Sequence, residues 1–182
     1  MHISLSNIRI IILNVYSQLI YYNKYVKLDS SQQETFNILS KELLNNSEVL
    51  RMQEFIQHGN ITTYRHCINV AEMALFLSQK LNINVNNKTL IQACILHDFF
   101  LYDLHKANIR VPLFKMHGFT HALIASENAK KLLNVDDRTC EIIKSHMWPL
   151  NITYIPKSKE AWLLCIADKI CATKEVVVKN EH

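Results

Sequence analysis

The sequence predicts an all-α protein built as a single domain. Two observations carry this reading. Apolar residues recur at helical spacing along most of the chain, and two glycines and three prolines in 182 residues are too few for the turns of a strand-rich fold. A third observation bounds the size: 49% hydrophobic and 20% charged residues at this length make one globular domain with a substantial core.

Residues 1–30 stand apart as an N-terminal extension. The stretch ISLSNIRIIILNVYSQLIYYN is apolar, but Arg9, Asn14 and Gln18 interrupt it well short of the roughly 20 residues a membrane span needs. It also lacks the small-residue cleavage pattern of a secretory signal. It reads either as an added amphipathic helix packed on the domain or as a stretch the fold does not need. The domain proper spans residues 31–182. Phe36, Leu39 and Leu43 set a helix over residues 33–45, and a second runs over residues 47–58, where Gly59 offers a C-cap. Thr62 or Thr63 caps the next helix, whose stripe is Val70, Met73, Ala74, Leu77 and Leu81, and the polar LNINVNN link ends it. A helix over residues 87–102 follows, then a loop over residues 103–118. Three more helices cover residues 120–133, 136–147 and 158–178, with Asp136 and Ser158 as caps. Only TYI at residues 153–155 and VVV at residues 176–178 hint at strand, and neither has a partner in view.

Six polar residues interrupt the apolar stripes: His66, His97, Asp98, His121, His146 and Asp168. Each is flanked at helical spacing by residues that belong in a core. Four imidazoles and two carboxylates turned inward would cost on the order of several kcal/mol unless paired or coordinated. One histidine on an apolar face is more often a hydrogen-bonded core residue than a ligand; six such groups together argue for a shared metal site. Because they come from at least five helices and must meet at one point, the expected bundle is orthogonal rather than up-and-down.

The segments that carry these residues are, in order, YRHCINVA, ILHDFFLYD, HGFTHALIASENA, IIKSHMWPL and CIADKICA. From residue 48 to residue 175 the chain resembles the HD-domain metal-dependent phosphohydrolases. The resemblance implies an HD-type helical bundle in which Asp98 bridges two ions, His66, His97 and Asp168 hold one of them, and His121 and His146 hold the second. One-metal members need only His66, His97, Asp98 and Asp168. It further implies water as nucleophile, Asp98 at the centre of catalysis, and Lys169 at the site rim, where it can meet a phosphoryl oxygen. Mixed imidazole and carboxylate donors favour a divalent transition metal, one or two ions of Fe or Mn first and Co, Ni or Zn next, over Mg or Ca. The implied activity is hydrolysis of a small phosphate mono- or diester, nucleotides included. A minority branch of the superfamily uses a similar ligand shell to activate dioxygen, so a di-iron oxygenase stands as an alternative, as does a non-catalytic metal-containing binding module.

Around the site, Lys106, Arg110 and Lys115 lie in the loop after Tyr102, against the single acid Asp103. That cationic excess suits a small anionic substrate; singly, each residue reads more readily as a solvated loop side chain. His117 either lines the substrate side or simply begins the His121 helix. Trp148 either walls the pocket and stacks on a ring or closes the turn before Pro149 as a core aromatic. No glycine-rich phosphate loop, GxSxG elbow or CxxC pair is present. Ser145 and His146, adjacent on a helix, point in different directions and make no nucleophile–base pair. The formal charge of +4 is spread without a basic stripe, so neither nucleic acid nor membrane is expected as a partner. Five cysteines without a CxxC pair read as reduced thiols of a cytoplasmic protein, with Cys67, Cys94, Cys165 and Cys171 as small core fillers. The oligomeric state is left open.

Overall fold

The computed structural model describes residues 28–58, 60–102 and 117–179. Residues 1–27, including most of the N-terminal extension, lie outside the described residues, as do Gly59, Lys106, Arg110 and Lys115. The described residues form seven helices and one two-stranded hairpin. The all-α class predicted from the sequence is the class observed.

Helix α1 (Ser30–Leu44) starts three residues earlier than predicted because Asp29 and Gln32 form a reciprocal capping box: the Gln32 amide donates to Asp29 Oδ1, and the Asp29 amide donates to Gln32 Oε1. Helix α2 (Ser47–Leu50) is capped by Asn46 and passes into a 3-10 turn at Arg51–Glu54. The predicted helix over residues 47–58 therefore stops early. Val49 and Met52 are buried, and Phe55 then turns to extended backbone. Strands β1 (Ile56–His58) and β2 (Ile61–Thr62) then form an antiparallel hairpin, pairing Ile56 with Thr62 and His58 with Ile61. No helix runs through His58 for Gly59 to close.

Helix α3 (Thr63–Lys80) is capped by Thr62, which accepts from the Arg65 amide. It ends in a Schellman motif, with Asn82 in the left-handed region at φ 51° and the Ile83 amide bonded to Ser78 O. Helix α4 (Asn87–Leu96) is six residues shorter than predicted. Every residue from Ala93 to Phe100 is buried, more than one helical stripe can bury, so the chain leaves the helix to sink Phe99 and Phe100 into the core. Asn128 holds this exit by donating to Phe99 O at 2.8 Å, and Leu101 follows at φ 52°, a conformation costing about 1–3 kcal/mol in a residue other than glycine.

Helix α5 (His117–Leu133) opens at His117; α6 (Asp137–Ser145) is capped by Asp136; α7 (Lys159–Lys179) is capped by Ser158, which accepts from the Ala161 amide. The TYI stretch forms no strand, and the VVV stretch is helical within α7. Helices α3 and α4 pack closely against each other; α7 lies against α3, and α6 against α4, α5 and α7. This arrangement aims five helices at one point. Among the described residues no helix is long and apolar enough to cross a membrane.

Candidate metal centre

All six polar residues picked out in the sequence converge. His66 comes from the first turn of α3, His97 and Asp98 from the end of α4, His121 from α5, His146 from the end of α6 and Asp168 from the middle of α7. His66, His97 and His146 are at most 1% exposed, Asp98 2% and His121 5%, while the Asp168 side chain keeps 14% exposure. Asp98 lies at the centre. Its Oδ2 is 3.3 Å from His97 Nε2 and 4.0 Å from His66 Nε2; its Oδ1 is 3.4 Å from His121 Nε2 and 3.6 Å from His146 Nε2. Asp168 Oδ1 lies 3.2 Å from His66 Nε2 and 3.6 Å from His97 Nε2. The His121 and His146 Nε2 atoms are 2.9 Å apart.

His66, His97 and His146 are each held by their other nitrogen. His66 Nδ1 is 2.8 Å from the buried Glu175 carboxylate, which also accepts from Asn69 Nδ2 at 2.9 Å. His97 Nδ1 donates to Cys94 O and His146 Nδ1 to Ile143 O, both at 2.8 Å. Each of the latter two histidines is the C-cap of its helix and bonds the carbonyl three residues back. The last-turn carbonyls of a helix have no partner within it; here two of them orient the rings, turning Nε2 to the centre.

Charge is distributed unevenly over the cluster. Burial opposes the charge of His66, but hydrogen bonds to Asp168 and Glu175 outweigh it and push that imidazole up to about 10. His97 is likewise raised against burial, chiefly by the Asp98 charge. His146 is pushed down to about 3, first by burial and then by the facing His97 and His121. Burial works against ionisation of Asp98, yet the histidines, His97 first, hold its carboxyl well below the usual carboxylate range. Asp168 is lowered in the same way, by its hydrogen bond with His66 and by the nearby His97.

Two atoms test whether a cation fits. Among the described residues, His97 Nε2 and Asp98 Oδ1 are buried and make no hydrogen bond. An unsatisfied buried acceptor costs about 1–3 kcal/mol, and both of these face the same small volume. The side-chain atoms of His66, His97 and Asp98, of His97, His146 and Asp168, and of Asp98, His121 and His146 form three groups, each compact enough to close on an ion. The donor set, nitrogen with carboxylate oxygen, suits a divalent transition metal.

Lys169 lies at the rim, a third exposed. Its Nζ donates to His146 O at 3.0 Å and sits 3.9 Å from Asp168 Oδ2. Trp148 is half-buried and packs edge-on against Trp162, ring centroids 4.9 Å apart. The His117 side chain lies outside what is described. Two residues at the cluster were not read from the sequence. Glu175 stands seven positions after Asp168, two helical turns along one face. Gln57, on β1, donates through Nε2 to Asp98 Oδ2. All five cysteines are buried and free, and Cys67 Sγ lies 3.6 Å from His97 Nδ1, behind the ring.

A helical bundle that draws four histidines and two aspartates from five helices to one buried point is the architecture of a metal-centred helical domain. The HD domain family model matches residues 63–173, more than half of the chain, and this protein belongs to the HD domain family. No curated protein and no solved structure matches it.

Proposed function

We propose that this chain is a metal-dependent hydrolase of small phosphate esters, a mono- or diester with nucleotides among the candidates, using water as the nucleophile. The observation that carries the reading is the Asp98 carboxylate, which offers one oxygen to His66 and His97 and the other to His121 and His146. On this reading Asp98 is shared between two ions, His66, His97 and Asp168 serve one, and His121 and His146 serve the other. Iron or manganese is favoured, with cobalt, nickel or zinc next. Bound divalent ions supply a water of lowered pKa and polarise the phosphoryl oxygens.

The chain supplies the rest. Glu175 and the carbonyls of Cys94 and Ile143 hold three imidazoles with Nε2 inward, so the ligands need no reorientation. Lys169 uses one N–H on His146 O and keeps two donors for an anionic group arriving at the rim. Lys106, Arg110, Lys115, His117 and Trp148 are included as substrate contacts, supported by the cationic surplus of the segment after Tyr102 and by the aromatic face of Trp148. A cytoplasmic location belongs to the same reading, supported by the five free thiols.

The test loads metal-free protein with Mn(II) or Fe(II) and offers a panel of phosphomonoesters and phosphodiesters in an oxygen-electrode cell. Release of inorganic phosphate or a monoester without oxygen consumption is the expected result. Substrate-dependent oxygen uptake with a mixed-valent iron signal and no ester turnover would replace the hydrolase by an oxygenase; ion uptake with neither reaction would leave a binding module.

A further inference from the structure

We propose that Gln57, on the short hairpin ahead of the first ligand helix, is a positioning residue that sets the orientation of the Asp98 carboxylate. The inference rests on the reading of Asp98 as the ligand shared between two ions.

Asp98 lies beyond the last residue of α4, so no helical turn restrains it, and rotation about its side chain would exchange or misalign its oxygens. Gln57 Nε2 donates to Oδ2, the oxygen facing His97 and His66. A carboxylate oxygen has two lone pairs. One is taken by the amide and the other is left for a ligand role, while Oδ1 makes no hydrogen bond among the described residues. The carboxylate is thus pinned by a hydrogen bond at one oxygen and faces only the imidazoles of His121 and His146 at the other.

The amide is itself oriented. The Thr63 hydroxyl, buried in the first turn of α3, is shared between Gln57 Oε1 at 3.2 Å and Phe55 O at 3.3 Å, and the Thr63 amide donates to Phe55 O at 2.8 Å. A flipped Gln57 would lose the hydroxyl bond and turn its oxygen against Asp98. The hairpin is thereby joined to the start of α3, three residues before His66, so the first histidine and the shared carboxylate are set from one rigid corner.

Cobalt(II) titration of the metal-free full-length chain tests this, read by chelator competition for affinity, by the visible absorption bands for ligand geometry, and by far-UV circular dichroism for the fold. Gln57→Leu should lower cobalt affinity about ten- to a hundred-fold, the usual effect of losing a group that orients a ligand, and alter the visible bands with helical content unchanged. Thr63→Val, which leaves Gln57 in place and removes only its anchor, should move both readouts the same way by less, and Thr63→Ser should restore them. If Gln57→Leu itself loses helix, the Thr63 pair decides. Wild-type affinity and an unchanged spectrum in Gln57→Leu and Thr63→Val would overturn the role of Gln57 while the metal reading stands. A wild-type chain that takes up no cobalt, manganese or iron would overturn the metal reading and this inference with it.

Discussion

On one side of the cluster, His66 and His97 face carboxylate oxygens from both Asp98 and Asp168 and are pushed toward the protonated form. On the other side, His121 and His146 share the single oxygen Asp98 Oδ1, and His146 is pushed down to about 3 by burial and by its neighbouring imidazoles. The scaffold is similar in the two halves: His97 and His146 are both C-caps locked on a carbonyl three residues back. The difference is in the counter-charge. A protonated imidazole must give up its proton before it can coordinate, whereas a bare one accepts an ion directly. One half is held together by ion pairs to two carboxylates, and the other has one shared carboxylate oxygen for its two imidazoles.

The comparison is broken most completely at the residue common to both halves. Asp98→Ala should abolish ion uptake and ester hydrolysis together, with helical content retained, because the apolar stripes and the other five ligand residues remain. Elemental analysis beside a phosphate-release assay checks this. His146→Ala should remove only the second half and leave one ion per chain. Equal metal content in the two variants would contradict the division of ligands between two ions.

Protons sharpen the comparison further. In metal-free His146→Ala the His66 imidazole, held up to about 10, is charged at neutral pH, and coordination by its Nε2 displaces that proton. Affinity should therefore rise with pH between about 6 and 8, with at least about one proton released per ion. Calorimetry in two buffers of different ionisation enthalpy measures the release; an affinity flat over that range would contradict the charge assigned to this half. The smallest expected effect is at Glu175. Glu175→Ala should weaken binding about 10- to 100-fold in the His66 half alone, and Glu175→Gln, which keeps an acceptor for His66 Nδ1, should recover part of it, as read by chelator competition.

What could be read from the sequence follows from how each feature is encoded. His66 and His121 head the apolar stripes of their helices and Asp168 lies within one, so periodicity alone turns them inward. The ends of α4 and α6 were placed too late, because His97 and His146 end their helices through side-chain bonds to carbonyls that no apolar pattern records. The hairpin leaves no periodic trace in the sequence because its strands of three and two residues are too short to show alternation. Its one local signal is the dipeptide Gly59-Asn60 between His58 and Ile61, a sequence that favours a turn. Gln57 went unread with it. The VVV stretch shows the converse: three β-branched residues that favour strand intrinsically are helical here, because they extend α7 from a face already packed on α3.

The division of one carboxylate between two ions is tested most directly by anomalous diffraction from crystals of the wild-type chain grown with Mn(II). The account expects two anomalous peaks, one near Asp98 Oδ2, His66, His97 and Asp168 and one near Asp98 Oδ1, His121 and His146. A single peak on the His66 side with no density between His121 and His146, or no peak at Asp98, would contradict it.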